Sequence, residues 1–276
     1  MQNYFEIRNL KCSYKTEKSK PKKVVLEIEK LDIPKGKIVF IVGKSGCGKS
    51  TILETLGLMN NTVDNPNEAK FTFFTPEEKE ENFIEIWNKK SSELSDIRKK
   101  YFSFIFQQTN LMKNFTIWEN AVIPQLIKGG NKKYKDVLEQ VELKEILDEG
   151  KRNVSQLAGG QQQRLAFVRA IMPSFNIVFG DEPTGNLDPN NAVNLIKIIA
   201  DEIAKDNTKT AIIVSHSPEL STKYADIIIK IRKDKLENDE SCGIIDSNSV
   251  YEKRDEKWFQ NQTELTEEEL QIKIKE

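Results

Sequence analysis

The apolar positions of this chain fall into two kinds of stretch. Four short runs, KIVFIVG (37–43), NIVFGD (176–181), TAIIVSHS (210–217) and IIIKI (227–231), are rich in β-branched residues, show no polar alternation and mostly end in small or polar residues. Strands buried on both faces read this way, because a parallel sheet is covered by helices above and below. Between the runs, TILETLGLM and NNAVNLIKIIADEIAK repeat apolar residues at helical spacing. Strand and helix in alternation predict an α/β fold with a mostly parallel sheet.

The flanking segments follow other rules. Near the N-terminus, YFEIRNLKCSY and VVLEIEKLDI alternate polar and apolar residues on either side of a lysine-rich turn at 15–23, which predicts an N-terminal antiparallel β-subdomain. Residues 61–100 are irregular and charged, with FTFF and FIEIW as candidate strands and SSELSDIRKKY as a short helix. WENAVIPQLIKG, KYKDVLEQVELKEILDEG and LAFVRAIM are helical by periodicity, so a helical subdomain is expected over about 108–165. Beyond 235 the apolar content thins. Residues 236–276 therefore read as a charged C-terminal extension closed by a solvated helix, TELTEEELQIKIKE, with a capping box from Thr266 to Glu269. Residues 1–235 form the expected main domain.

Composition narrows the class. The 276 residues carry 42 basic and 43 acidic side chains, a net charge of -1, so no global field draws the chain to nucleic acid or anionic lipid. Mean hydropathy is -0.55 and no run approaches a membrane span, so a cytoplasmic location is expected. Three separated cysteines, Cys12, Cys47 and Cys242, suit reduced thiols better than a disulfide framework or a metal cluster. The lone histidine, His216, excludes multi-histidine metal catalysis.

Three motifs carry chemistry. GKSGCGKS, residues Gly43, Lys44, Ser45, Gly46, Cys47, Gly48, Lys49 and Ser50, matches the P-loop pattern and is followed by Thr51 at the start of a helix. Its glycines let successive backbone N–H groups converge on phosphate, Lys49 supplies a point charge, and the Ser50 hydroxyl reaches Mg2+. In NIVFGDEP a strand ends in two carboxylates. Asp181 is placed to hold the metal's water shell and Glu182 to polarise a water. QLAGGQQQR puts Gly159 and Gly160 at a helix N-terminus, where free N–H groups and the positive dipole end favour an anion.

With these motifs the chain, over about residues 4–235, resembles the nucleotide-binding subunit of an ABC transporter. The resemblance implies ATP and Mg2+ as ligands, with a P-loop NTPase core and a helical signature subdomain. It identifies Leu157, Ala158, Gly159, Gly160 and Gln161 as a signature that serves ATP held by a second copy in a head-to-tail homodimer. Gln107 corresponds to the glutamine that touches Mg2+, Asn186, Leu187 and Asp188 to the D-loop, His216 to the switch histidine on the γ-phosphate, and Tyr14 to the aromatic that stacks on adenine. A separately encoded membrane permease is the implied partner, which would hold the chain peripherally on the cytoplasmic face of the membrane.

DEPTGNLD, GGQQQR and FTIWENAVIP are similar to the group of lipoprotein-release, macrolide-export and cell-division ATPases. Residues 61–100 and the tail after 235 depart from that group. Ala158 stands where the family commonly has serine, and loss of one charge-assisted hydrogen bond predicts closure weaker by about 1.5–3 kcal/mol. Two rival readings stay open: a soluble ABC ATPase without a transport role, and a weakly hydrolysing regulatory subunit. The first is disfavoured for DNA repair by the short interval from Lys49 to Leu157, for translation factors by the single P-loop, and for nucleic acid by the neutral charge.

Overall fold

A computed structural model describes residues 2–14, 23–146, 149–235 and 241–275. Its elements, in chain order, are β1 (Asn3–Tyr14), β2 (Lys23–Pro34), β3 (Ile38–Gly43), α1 (Lys49–Leu56), β4 (Lys70–Phe74), β5 (Glu80–Asn82), α2 (Phe83–Ile86), α3 (Ser91–Tyr101) and β6 (Phe102–Ile105). There follow α4 (Ile117–Lys128), α5 (Tyr134–Gln140), α6 (Gly159–Ile171), β7 (Ile177–Asp181), α7 (Pro189–Lys205), β8 (Thr210–Val214), α8 (Pro218–Tyr224) and β9 (Ile227–Lys235). The described chain closes with β10 (Ser241–Ile245), β11 (Val250–Arg254), β12 (Lys257–Gln260), β13 (Thr263–Leu265) and α9 (Glu267–Lys275).

The four apolar runs become β3, β7, β8 and β9, and with β6 they form a parallel sheet in the order β9-β3-β8-β7-β6. Alternate residues of β3 enter opposite cores. Phe40 and Val42 meet α6, α7 and the helical subdomain, whereas Val39 and Ile41 meet α1 and the N-terminal strands. Burial of both faces is why these runs show no alternation. β1 pairs antiparallel with β2 and β4, as the alternating pattern predicts, and Phe5, Phe71 and Phe73 of this sheet cluster with Phe83 of α2 and Phe102 of β6. The lysine-rich turn falls at 15–22, outside the described residues apart from Lys23.

Three stretches differ from expectation. FIEIW is not a strand: Asn82 caps it, its side-chain oxygen accepting from the Ile84 and Glu85 backbone N–H groups, and the run turns into α2 with Phe83 and Ile86 buried. A local cap overrides strand propensity in so short a segment. KYKDVLEQVELKEILDEG does not run as one helix, because α5 stops at Gln140 and Glu142 takes a left-handed φ of 56° before a 3-10 turn at Lys144–Ile146. The third stretch follows residue 235. There β10 lies between β2 and β9, parallel to the first and antiparallel to the second, and so joins the two halves of the sheet. Tyr251, Trp258, Leu265, Leu270 and Ile274 are buried in the main core. The Thr266–Glu269 box does cap α9, with Glu269 N–H donating to Thr266 Oγ1 at 3.2 Å, but one face of that helix is packed rather than solvated.

Candidate active site

The site lies at the C-terminal ends of β3, β7 and β8. After β3 the chain turns through Gly46 (φ 72°) and Gly48 (φ 97°) into α1, a left-handed path that glycine adopts without steric cost. Lys49 is buried, and its Nζ donates to the carbonyls of Gly43 at 2.8 Å and Lys44 at 3.1 Å, so the ammonium spans the mouth of the loop. Cys47 points inward and is buried, which pushes its thiol pKa up. Ser50 and Thr51 open the helix. The Ser50 hydroxyl donates to Asp181 Oδ1 across 3.4 Å.

Asp181 ends β7, where burial raises its pKa, the Ser50 hydrogen bond works against that rise and the neighbouring Glu182 charge adds to it. A partly buried carboxylate beside a hydroxyl is a donor set that suits Mg2+, which takes oxygen ligands and commonly binds through one or two carboxylates together with phosphate. A cation there would relieve the cost of the partly desolvated charge. The residues present therefore fit the metal.

Glu182 follows in the left-handed region at φ 47°, fixed by its own N–H to the Val214 carbonyl at 3.1 Å. Its carboxylate is gripped from two sides. Gln107 Nε2 donates to Oε2 at 3.2 Å, and His216 Nε2 lies 2.8 Å from Oε1. Gln107 comes just after β6 and His216 just after β8, so two strand ends converge on the residue following a third. A groove of about 600 Å3 runs from Glu182 and His216 past Leu187 to Leu220.

Tyr14, at the end of β1, is partly exposed; its hydroxyl donates to Glu54 Oε2 at 2.9 Å and lies within hydrogen-bond distance of the Thr51 hydroxyl at 3.2 Å, tying it to α1 beside the P-loop. Burial, with the Glu54 charge, pushes its pKa up to about 12.

The signature segment faces elsewhere. Ala158 sits at the N-cap of α6 and gives no side-chain cap; its N–H donates instead to Gln161 Oε1 at 3.0 Å, and Gln161 Nε2 donates to Glu145 at 3.0 Å. Leu157 is buried, its carbonyl accepting from Gln162 at 2.9 Å. A Cβ placed on Gly159 would meet nothing within 4 Å, and one on Gly160 only the Leu187 side chain at 4.0 Å. Packing within the chain therefore does not demand the Gly-Gly pair. Asp188 caps α7 through the N–H groups of Asn190 and Asn191, and the Asn191 hydrogen bonds hold its pKa down.

Sequence reasoning missed Gln163. This third glutamine of GGQQQR is buried, donates to the Pro183 carbonyl at 2.9 Å and accepts from Asn186 Nδ2 at 3.1 Å. It links the signature helix to the segment that carries Glu182 and the D-loop. The signal was present: in a helix starting at Gly159, residues 163, 166, 167 and 170 fall on one face, and that face is buried.

Residues 26–185 match the ABC transporter family. The chain belongs to the ABC transporter ATP-binding family. This ABC subunit is 32% identical over 231 residues to the lipoprotein-releasing system ATP-binding protein LolD of Ehrlichia chaffeensis, covering 83% of this chain and 92% of that protein. It is 32% identical over 257 residues to the macrolide export ATP-binding/permease protein MacB of Bdellovibrio bacteriovorus, covering 91% of this chain but 36% of that longer protein. Its fold is similar to the dimeric ATP-binding cassette MJ0796 bound to ADP and Pi, with a TM-score of 0.68, 27% identity, and coverage of 82% of this chain and 93% of that one. Members of the family hydrolyse ATP, and the ABC subunit is an ATPase of α/β fold. Among its described residues no helix is long and apolar enough to cross a membrane.

Proposed function

We propose that this ABC subunit binds Mg-ATP on residues 43–51, closes head-to-tail on a second copy of itself, hydrolyses the nucleotide, and drives a separately encoded membrane permease. The single observation that carries the reading is the Glu182 carboxylate held between Gln107 at 3.2 Å and His216 at 2.8 Å, next to the Ser50–Asp181 pair. Ser50 and Asp181 would hold Mg2+, with Gln107 at its edge. When bound, Mg2+ supplies positive charge to the phosphate oxygens. Lys49 and the loop N–H groups orient the β- and γ-phosphates, Glu182 orients and polarises the attacking water, and His216 contacts the γ-phosphate. Tyr14, tied to α1 beside the P-loop, would stack on the adenine ring.

The open space over Gly159 supports the shared site, since a ligand held by a second copy can approach the α6 N-terminus without meeting a side chain. Leu187 of the D-loop lines the groove beside Glu182 and His216, and with Asn186 and Asp188 it would bridge the two sites. On the helical subdomain, Phe115, Trp118, Leu126 and Ile127 are exposed apolar side chains around α4. Exposed apolar side chains on this subdomain suit a permease loop, which would hold the chain at the cytoplasmic face of the membrane. Likeness to LolD and MacB favours the lipoprotein-release or macrolide-export type of permease.

The test is Glu182→Gln with ATP and Mg2+ on size exclusion. A stabilised dimer with turnover reduced by about 100-fold or more is expected, the range a positioned base supplies. A protein that stays monomeric at saturating ATP refutes the shared-site reading.

A further inference from the structure

The segment after residue 235 touches the P-loop at two points. Gly243, in β10, lies against the loop backbone so closely that an ideal Cβ there would stand 1.9 Å from the Cys47 carbonyl oxygen and 2.8 Å from Ile231 Cγ2. From the other side, a Cβ on Gly43 would stand 2.7 Å from Cys47 Sγ and 2.7 Å from the Ile231 carbonyl. Cys47 is thus clasped between two glycines, one opening the P-loop and one two hundred positions later. Real side chains do not approach backbone so closely, so β10 occupies its register only because residue 243 has none.

The second contact comes from α9. Ile274 and Lys275 line a cavity of about 210 Å3 together with Val42, Gly43, Lys44, Ser215, His216 and Pro218. Ile274 is buried, and the helix is fastened beneath by Lys230, which donates to the Lys273 carbonyl, and by Lys273 Nζ, which donates to Gln260 Oε1 at 2.9 Å. The P-loop therefore has β10 against its turn at Cys47 and the end of α9 beside its entry at Gly43–Lys44.

We infer that Gly243 and Ile274 are positioning residues for nucleotide: the C-terminal segment holds the P-loop turn in the shape that converges its N–H groups on phosphate. The inference rests on the reading of residues 43–51 as the phosphate cradle. A cradle of backbone donors has no side chain to adjust, so a displacement of the Cys47 peptide is felt directly by the ligand. The adjacent peptides 44–48 carry the donors, and their geometry follows that of Cys47.

The experiment titrates ATP with Mg2+ into the full chain by calorimetry and follows turnover in parallel. Gly243→Ala is expected to weaken ATP binding about tenfold or more, raising KM further than it lowers kcat. Gly36→Ala serves as the structural control. Gly36 lies before β3, at the end of the strand away from the P-loop; it has φ 73°, and a Cβ there would stand 2.7 Å from the Asn207 carbonyl oxygen. That variant is expected to melt lower while keeping its ATP affinity. Wild-type affinity in folded Gly243→Ala, or equal weakening in both variants, overturns the inference. A wild-type chain that takes up no ATP overturns instead the reading of residues 43–51. Should Gly243→Ala not fold, Ile274→Ala opens the α9 side alone, and unchanged ATP affinity in that folded variant is equally fatal.

Discussion

Replacing Gln163 by methionine keeps the length of the side chain and removes both of its hydrogen bonds. The Pro183 carbonyl is buried and accepts from Gln163 at 2.9 Å; without that donor it pays the desolvation cost of an unsatisfied buried acceptor, about 1–3 kcal/mol. Asn186 is exposed, so its amide turns to water when it loses the 3.1 Å bond, at about 0.5–1.5 kcal/mol. Methionine fills nearly the same volume and adds little cavity. The expected loss is about 1.5–4.5 kcal/mol, read as a shift in the urea midpoint at constant slope. Gln163→Glu should cost at least as much, because its second oxygen faces the carbonyl and its charge is buried. Turnover should fall more steeply than stability alone explains, since the lost bonds tie α6 to the segment carrying Glu182 and residues 186–188. A stability loss under about 0.5 kcal/mol, with normal turnover, would show that the link does not hold these elements together.

Gly159→Ala adds a methyl group that meets nothing, so the melting temperature should hold or rise slightly while ATP-dependent dimerisation is lost; unchanged dimerisation would mean that no ligand approaches this helix end. Ala158→Ser should strengthen the ATP-bound dimer by about 1.5–3 kcal/mol on sedimentation. Because residue 158 is the N-cap of α6, serine should also raise monomer stability by about 1 kcal/mol, so the two effects must be read separately. Asp181→Asn should raise the melting temperature without nucleotide yet abolish Mg2+-dependent turnover. Burial raises the Asp181 pKa in the folded state, so its share of stability is fully present below the ordinary carboxylate pKa and declines as pH rises through the folded one. The asparagine variant's advantage should therefore grow from acid to neutral pH, and a constant advantage would remove the buried-charge explanation.

The parts of the fold legible from sequence are those where one physical rule acts alone. The runs around Phe40, Phe179 and Ile213 are buried on both faces, so uniform apolarity identified them as central strands. The P-loop was legible because a left-handed backbone at Gly46 and Gly48 demands glycine at fixed spacing. Phe83–Ile86 was misread because one Asn82 cap outweighs the strand preference of four residues, a contest that spacing cannot judge. Residues 241–275 looked solvated since their charges dominate the average, while Trp258, Leu270 and Ile274 are too far apart to register as a run. At the site, strand-end motifs announced Asp181 and Glu182, yet the convergence of Gln107 and His216 on one carboxylate is a property of strand order, visible only when β6, β7 and β8 stand side by side. Gln163 escaped because it contacts no expected ligand and its partners, the Pro183 carbonyl and the Asn186 amide, lie about twenty residues away in the chain.

The position of β10 has a consequence for how the chain is made. Leu26 of β2 finds its partner at Gly243, and the strand between β2 and β9 is therefore supplied almost last. During synthesis the antiparallel subdomain and the parallel sheet can each form early, but they stay unjoined along an open edge until residues 241–245 leave the ribosome, about ten seconds or more after β2 does at ordinary rates of elongation. Until then the unpaired edges of β2 and β9 are exposed to other chains, and the lysines flanking them, Lys23, Lys30 and Lys233, are the kind of residue that discourages edge-to-edge pairing. A chain that stalls before residue 241 carries every motif from the P-loop to His216, yet lacks the strand that closes the sheet around them.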